Sequence, residues 1–410
     1  MPSAGGRRNG EIYMEEIRLL QNEDSGIVVG FYGSVSIDNA EAVEKELLNI
    51  REEHGQGTVT FDFEKLEYIS SAGLRVLLKL ARSEKGNRPR IINASGEIYE
   101  ILEDTGFVKI FEVSKQMKKY STDGFQLIGR GTNGEVYRVD RENIIKVFQK
   151  TTPLEDINRE RNLAQQALIE GIPTAISYSV VMADDRYGIL FELIDADSLS
   201  ATFKGKPDEY DLYVEKYISL FKKIHSIKGT PDKFTNIKDV YHTAIDYCAD
   251  YYSEEELCKL RALVDSVPET ETLIHGDYHP NNIMVQNGGL ILIDMGDMTL
   301  GHPIFDFLAT AATQVNLVKL SPEYAEFHTR MPAELITKTW RRLIDDYFKE
   351  KTEEEKNRIE DQICIFSKLK VALCPYFGRG VTPEIVKASI DDAKANFLPL
   401  IDELIGAVNW

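Results

Sequence analysis

Leu273-Ile274-His275-Gly276-Asp277-Tyr278-His279-Pro280-Asn281-Asn282-Ile283-Met284-Val285, followed closely by Leu290-Ile291-Leu292-Ile293-Asp294-Met295-Gly296-Asp297, is the stretch on which the reading of this 410-residue sequence turns. Apolar β-type runs bracket polar loops, and each loop carries an aspartate. Taken alone, either loop also reads as a hairpin with ordinary Asp and Asn turn residues. Phosphoryl transfer asks little covalent help of a protein. It needs a group that accepts or positions the hydroxyl proton, and metal ions that neutralise the moving charge. Asp277 suits the first task. Asn282 and Asp294 supply hard oxygen donors of the kind Mg²⁺ prefers. Carboxylates buried without a cation would be costly, which is a further reason to expect metal here. His275 is expected to brace the loop. His279 either lies near the phosphates or supports the loop. A zinc set of His275, Asp277 and His279 lacks a fourth ligand or a paired cysteine.

Working outward, the segment Ile128-Gly129-Arg130-Gly131-Thr132-Asn133-Gly134-Glu135-Val136-Tyr137 reads GxGxxGxV within β-type sequence. Gly129, Gly131 and Gly134 would let the backbone close over phosphates, because no Cβ blocks the approach. A dinucleotide fold needs strand, glycines, then helix. Here strand follows strand, up to Val147 or Phe148. Lys146 stands alone among apolar neighbours in Asn143–Phe148 and could reach the α/β-phosphates. A polar helix is predicted over Asp156–Glu170. Glu160 on that helix is the candidate partner for Lys146, with Glu155 and Glu170 as competitors. Each feature is weak alone; the ordered set of glycine loop, lysine, HGDxxxxN and IDxGD is specific.

From about Gly124 onward the sequence resembles the aminoglycoside phosphotransferase / choline kinase family, which shares the protein-kinase-like fold. The resemblance implies an α+β unit, an antiparallel N-lobe sheet at about 124–195 and a mainly helical C-lobe at about 196–410. By the same likeness Asp277 is the catalytic base, Asn282 and Asp294 hold Mg²⁺, and Lys146 touches the nucleotide phosphates beneath Gly129, Gly131, Gly134 and Val136. Glu192–Ile194 forms the hinge beside the adenine, so Glu192 and Ile194 join the nucleotide site. Asp306, in Gly301-His302-Pro303-Ile304-Phe305-Asp306, is structural. ATP is the expected nucleotide, with GTP left open. Gly276 replaces the arginine of protein kinases, His279 replaces their lysine, and no Ala-Pro-Glu follows Asp294. These departures favour a small-molecule hydroxyl acceptor.

Upstream, short strands and helices alternate from Glu11 to about Lys118. Strands are predicted at Glu16–Gln21, Ile27–Tyr32, Thr58–Phe63 and Arg90–Asn93, and helices at Asn39–Glu53, Ser71–Ser83 and Glu97–Glu103. The polar stretch Lys115–Gly124 marks the boundary between a unit at 11–118 and one at 119–410, and residues 1–10 read as a loose tail. In Tyr68-Ile69-Ser70-Ser71-Ala72-Gly73-Leu74 a strand runs into a helix, and Ser70 or Ser71 would cap it. With Gly33-Ser34-Val35-Ser36-Ile37-Asp38, this segment resembles the STAS domain of anti-sigma factor antagonists, an α/β fold with a small sheet. In that family a serine in a D-S-[ST]-G-L pattern is phosphorylated by a cognate kinase. Aligned here, that serine is Ser71, with Ser70 in place of the aspartate and Ala72 next. The likeness implies a protein partner, anti-sigma-factor-like or a serine kinase.

The formal charge of −19 repels nucleic acid and acidic membrane and leaves room for a cationic substrate. The four cysteines show no zinc spacing and read as free thiols in a reducing cytosol. No apolar stretch follows the opening arginines and no run of about 18 apolar residues occurs, so neither a secretory signal nor a membrane span is predicted and a cytoplasmic protein is expected. Three functions follow in order: an ATP- and Mg²⁺-dependent kinase acting on a small-molecule hydroxyl, a protein serine kinase or antagonist switch acting on Ser71, and a nucleotide-binding signalling scaffold.

Overall fold

The computed structural model describes residues 7–8, 11–12, 16–23, 26–54, 58–83, 88–131, 134–320, 322–378 and 382–410. Most of the predicted tail and the loop-tip residues Thr132 and Asn133 lie outside this set. The chain divides into two compact units, Met1–Lys118 and Lys119–Trp410.

In the first unit a five-stranded sheet runs in the order Ile17–Glu23, Gly26–Val35, Thr58–Ile69, Arg90–Ala94, Glu112–Lys115. The first pair is antiparallel and the others are parallel. Parallel strands need crossovers, and the helices Ala40–His54, Ser71–Ser83 and Gly96–Asp104 supply them. The core is aromatic at its centre. Phe31 meets Phe61 edge-on at 5.7 Å and Phe63 at 5.0 Å, with Val43, Leu77 and Leu102 buried from the helices. The strand expected to stop at Phe63 continues to Ile69. Register shifts against Gly26–Val35 break its strict alternation after Phe63, so period-two reading loses it while the ladder goes on. The first helix begins at Ala40, because Asn39 is spent in the turn before it: its amide donates to Ser34 O and accepts from Ser36 N.

The second unit opens with a six-stranded sheet ordered Lys119–Tyr120, Ser177–Ala183, Arg186–Glu192, Asn143–Phe148, Gly134–Arg138, Gln126–Gly131. All neighbours are antiparallel except Lys119–Tyr120, which runs parallel to Met182–Ala183. The N-lobe sheet is therefore antiparallel with one parallel edge that sequence alternation over two residues could not reveal. The helix Leu154–Ile169 starts two residues earlier than predicted and buries Ile157, Glu160, Leu163 and Ala167. The remainder is mainly helical. Its core gathers Tyr217, Phe221, Tyr278, Phe307, Trp340 and Leu343. Two short sheets interrupt it, Leu273–Ile274 with Thr299–Leu300, and a three-stranded one in the order Asp197–Ser198, Ile283–Gln286, Gly289–Leu292. These sheets carry the two polar loops singled out in the sequence. All four cysteines are free. Among the described residues no helix is long and apolar enough to cross a membrane.

Candidate active site

The glycine segment forms a hairpin whose register decides its use. Val136 lies opposite Gly129 on one side and Lys146 on the other. Cross-strand partners share a face, so the bare Gly129 and the lysine look the same way. The three glycines are not equivalent. Gly134, at φ +151°, would drive a Cβ into Val147 O at 2.0 Å, so its own strand neighbour requires it. A Cβ at Gly129 would make only ordinary contact with Val136, and one at Gly131 would meet nothing. The fold does not demand those two glycines.

Lys146 is the charged centre of the lobe. Its Nζ donates to Glu160 Oε1 at 2.7 Å and to Asp294 Oδ1 at 3.0 Å. Burial alone would lower its pKa, but the two carboxylates outweigh burial and hold the ammonium firmly charged. The Glu160 carboxyl is pushed up, first by burial, with Asp294 and Asp297 adding negative charge against the pull of Lys146. Of the competing glutamates, Glu170 pairs with Lys233 at 3.3 Å and Glu155 is exposed.

The two polar loops are tied together through Asn282. Its Nδ2 donates to both the carbonyl and the Oδ2 of Asp277, each at 3.1 Å. Its carbonyl accepts from Ile293 N at 2.9 Å, which sets Asn282 beside Asp294. Asp294 takes φ +63°, a left-handed conformation that Asp tolerates better than most side chains. Gly276, at φ +82°, has no such freedom to vary: a Cβ there would sit 2.5 Å from Asp297 O. An arginine at this position is sterically barred.

Asp277 is partly exposed. The loop around it would raise its pKa, but the imidazole of His279, then Lys370 and His275, outweigh that and hold the carboxyl well below the usual range. His279 supports the loop: Nδ1 accepts from Asn281 N at 3.2 Å and Nε2 lies 3.5 Å from Asp277 Oδ2. His275 is buried, with Nδ1 accepting from Asp277 N at 3.3 Å. That bond leaves the proton on Nε2, which has no partner among the described residues.

Behind the loop stands Asp306, fully buried. It accepts from His275 N at 2.8 Å, Gly276 N at 2.5 Å and the His225 imidazole at 2.9 Å. His225 Nδ1 meets Tyr347 OH at 2.9 Å. Thus Asp306 clamps the backbone that presents Asp277. His225, Tyr347 and Lys370 escaped the sequence reading because each is a lone residue in a helix with no local motif.

The segment Glu192–Ile194 closes the strand Arg186–Glu192. Glu192 Oε1 accepts from Ile176 N at 2.9 Å, Leu193 N donates to Glu142 O at 2.6 Å, and Ile194 is buried. Among the described residues no three His, Cys, Asp or Glu gather into a ready metal cage.

In the first unit, Ser70 caps the helix Ser71–Ser83 by accepting from Gly73 N at 3.2 Å. Ser71 is the exposed first helical residue. Gly73 is required by packing, since a Cβ there would meet Val35 and Ile69 below 3 Å.

Comparison with known proteins follows this division. Residues 124–342 match the family described as "Phosphotransferase enzyme family", and residues 17–120 match the STAS domain. Over 101 residues the chain is 33% identical to BtrV of Bordetella bronchiseptica, a protein named as an anti-sigma factor antagonist, covering 24% of this chain and 86% of that one. Among solved structures, the gentamicin complex of APH(2")-IIa is 18% identical with a TM-score of 0.48, covering 75% of this chain and 99% of that one. The choline/ethanolamine kinase family protein from Mesorhizobium loti is 13% identical with a TM-score of 0.44, covering 69% and 92%. With more than half its length matched by that one model, the chain belongs to the phosphotransferase enzyme family and carries a STAS domain ahead of the family's kinase-like fold.

Proposed function

We propose that the protein is an ATP- and Mg²⁺-dependent phosphotransferase that moves the γ-phosphoryl group onto a hydroxyl of a small molecule. The observation that carries this reading is the bridge through Asn282, which bonds Asp277 by its side chain and the strand leading to Asp294 by its backbone. Asp277 is the base: kept ionised by its surroundings, it is free to take a hydroxyl proton. Lys146, aimed by Glu160, holds the triphosphate under the glycine hairpin, where the open faces of Gly129 and Gly131 admit phosphate oxygens. Glu192 and Ile194 line the adenine end. GTP would fit the same donors.

Asn282 and Asp294 are the side chains that would hold Mg²⁺. The amide nitrogen of Asn282 is committed to Asp277, which leaves its oxygen for coordination, and the Asp294 carboxylate is exposed. Two oxygen side chains completed by phosphate oxygens and water make a set that Mg²⁺ accepts, so a full protein cage is unnecessary. The ion would neutralise charge on the phosphoryl group during transfer.

Calorimetry with Mg·ATP, joined to a phosphorylation screen over a metabolite library, tests the proposal. Asp277→Asn should still bind Mg·ATP while transfer falls about a thousandfold. Retained turnover in that variant, or a wild-type protein that ignores Mg·ATP, refutes the assignment.

A second reading makes the acceptor Ser71, which would turn the chain into a serine kinase acting on a STAS domain. Its support is that Ser70 alone caps the helix, leaving the exposed Ser71 hydroxyl available. Phosphosite mapping after incubation with Mg·ATP separates the two readings. The STAS unit is then the module that meets a protein partner.

A further inference from the structure

A second lysine meets the Asp277 loop, from the helical half of the unit. Lys370, in the short helix Lys368–Ala372, places its Nζ 3.5 Å from the carbonyl oxygen of Gly276, the residue before Asp277. The same ammonium lies 5.7 Å from the centre of the Phe377 ring. At 3.5 Å the carbonyl contact is at the long limit of a hydrogen bond, so the donors of this ammonium are not consumed. No carboxylate of the described residues stands at ion-pair distance from it, in contrast to Lys146 with its two. The carboxylate it acts on is Asp277, from beyond ion-pair distance, so its N–H donors stay open to an anionic ligand, which would make charge-assisted hydrogen bonds with them.

The two lysines share no partner. Lys146 contacts Glu160 and Asp294, whereas Lys370 contacts the Asp277 loop itself. In-line transfer requires the acceptor hydroxyl to approach from the far side of the phosphoryl group, within reach of the base. With the triphosphate on Lys146, that leaves Lys370 among the groups next to the acceptor. Beyond it the surface is aromatic: Tyr376 packs edge-on to Phe377 at 5.1 Å and to the exposed Tyr247 at 5.7 Å. An ammonium beside the base repels a cationic substrate and attracts an anionic one.

Resting on the phosphotransfer reading above, we propose that Lys370 binds a carboxylate or phosphate group of the acceptor, so that the substrate is a hydroxylated acid and not an amino sugar or polyamine. The net charge of −19 does not govern this choice, because distant surface charges are screened beyond roughly 10 Å.

The test uses the full-length chain with Mg·ATP and three matched panels, sugar acids and their phosphates, sugar alcohols, and amino sugars, reading kcat and KM for wild type, Lys370→Met and Lys370→Arg. Wild type should prefer the acids. Lys370→Met should raise KM for the acids by about 10- to 100-fold, and Lys370→Arg, which keeps the charge, should largely restore them. Carboxylate against phosphate acceptors within the first panel identifies which anion is read. Preference for amino sugars, an equal fall in kcat across all panels, or Mg·ATP binding with no transfer to any acid overturns the proposal. Failure to bind Mg·ATP at all instead brings down the phosphotransfer reading on which it stands.

Discussion

Replacing Asp306 by alanine should unfold the second unit more readily than any surface change and should slow turnover as well. The carboxylate is fully buried and accepts from two backbone N–H groups and one imidazole. Each buried polar group left without a partner costs about 1–3 kcal/mol, and breaking a buried charge pair costs about 3–5 kcal/mol. The three losses share one site and relax together, so about 3–5 kcal/mol is expected in total. At about 2 °C or a little less per kcal/mol for a unit of this size, Tm should fall by about 5–8 °C. Tryptophan fluorescence isolates the effect, because both tryptophans, Trp340 and Trp410, belong to the second unit. Burial alone would raise the Asp306 carboxyl, but His225, His275 and the backbone bond from His275 N hold it below the ordinary range. A depressed folded pKa gives stability that is fully present above the unfolded value of about 4 and is lost as pH falls through the folded value. Asp306→Asn should therefore flatten the acid limb of the stability profile. It should also lower kcat about tenfold or more, because the loop presenting Asp277 loses its anchor. An alanine variant within about 1 kcal/mol of wild type, with an unchanged acid limb, would refute the clamp.

Two further outcomes follow from backbone geometry. Gly276→Ala sets a Cβ 2.5 Å from Asp297 O at φ +82° and should destabilise the second unit by about 2–4 kcal/mol, read by the same fluorescence; a neutral result would mean the loop relaxes freely. In the first unit, Ser70→Ala removes the cap on Gly73 N and should cost about 1 kcal/mol, whereas Ser71→Ala should stay within about 0.5 kcal/mol. Hydrogen exchange along Ser71–Ser83 distinguishes the pair, and equal protection loss in both would contradict the assignment of the cap to Ser70.

The polar loops were legible because their chemistry is written consecutively. Asp277, Asn282 and Asp294 lie within eighteen residues, and hairpin register folds that short stretch onto itself. Lys146 and Glu160 were legible for a related reason: strand and helix adjoin in sequence, and the helix periodicity aims one glutamate inward. The clamp behind the loop was not. Asp306 sits in a recognisable segment, yet its partner His225 is 81 residues away in a helix whose neighbours are apolar, and nothing local marks it. Lys370 is hidden in the same way. Burial also changes what a residue type means. Gly276 reads in sequence as a missing arginine, but in the fold its lack of a Cβ is what lets the backbone fit against Asp297. Likewise Ser70 reads as a lost aspartate, although serine and aspartate perform the same capping bond.

The charge pattern of the site argues for a cation beyond those the chain provides. Glu160, Asp294, Asp297 and Asp277 lie around Lys146 and the Asp277 loop, and among the described residues Lys146, Lys370 and the imidazoles of His279 and His275 act against them. Burial is the first cause that drives the Glu160 carboxyl up, and the negative charge of Asp294 and Asp297 adds to it against the ammonium 2.7 Å away. A divalent ion between Asn282 and Asp294 would offset that negative charge and let Lys146 exchange a carboxylate for phosphate oxygens. Nucleotide alone would add negative charge to a negative site. Binding of ATP should therefore depend steeply on Mg²⁺, and tight metal-free binding of ATP, measured by calorimetry in EDTA, would contradict this electrostatic reading.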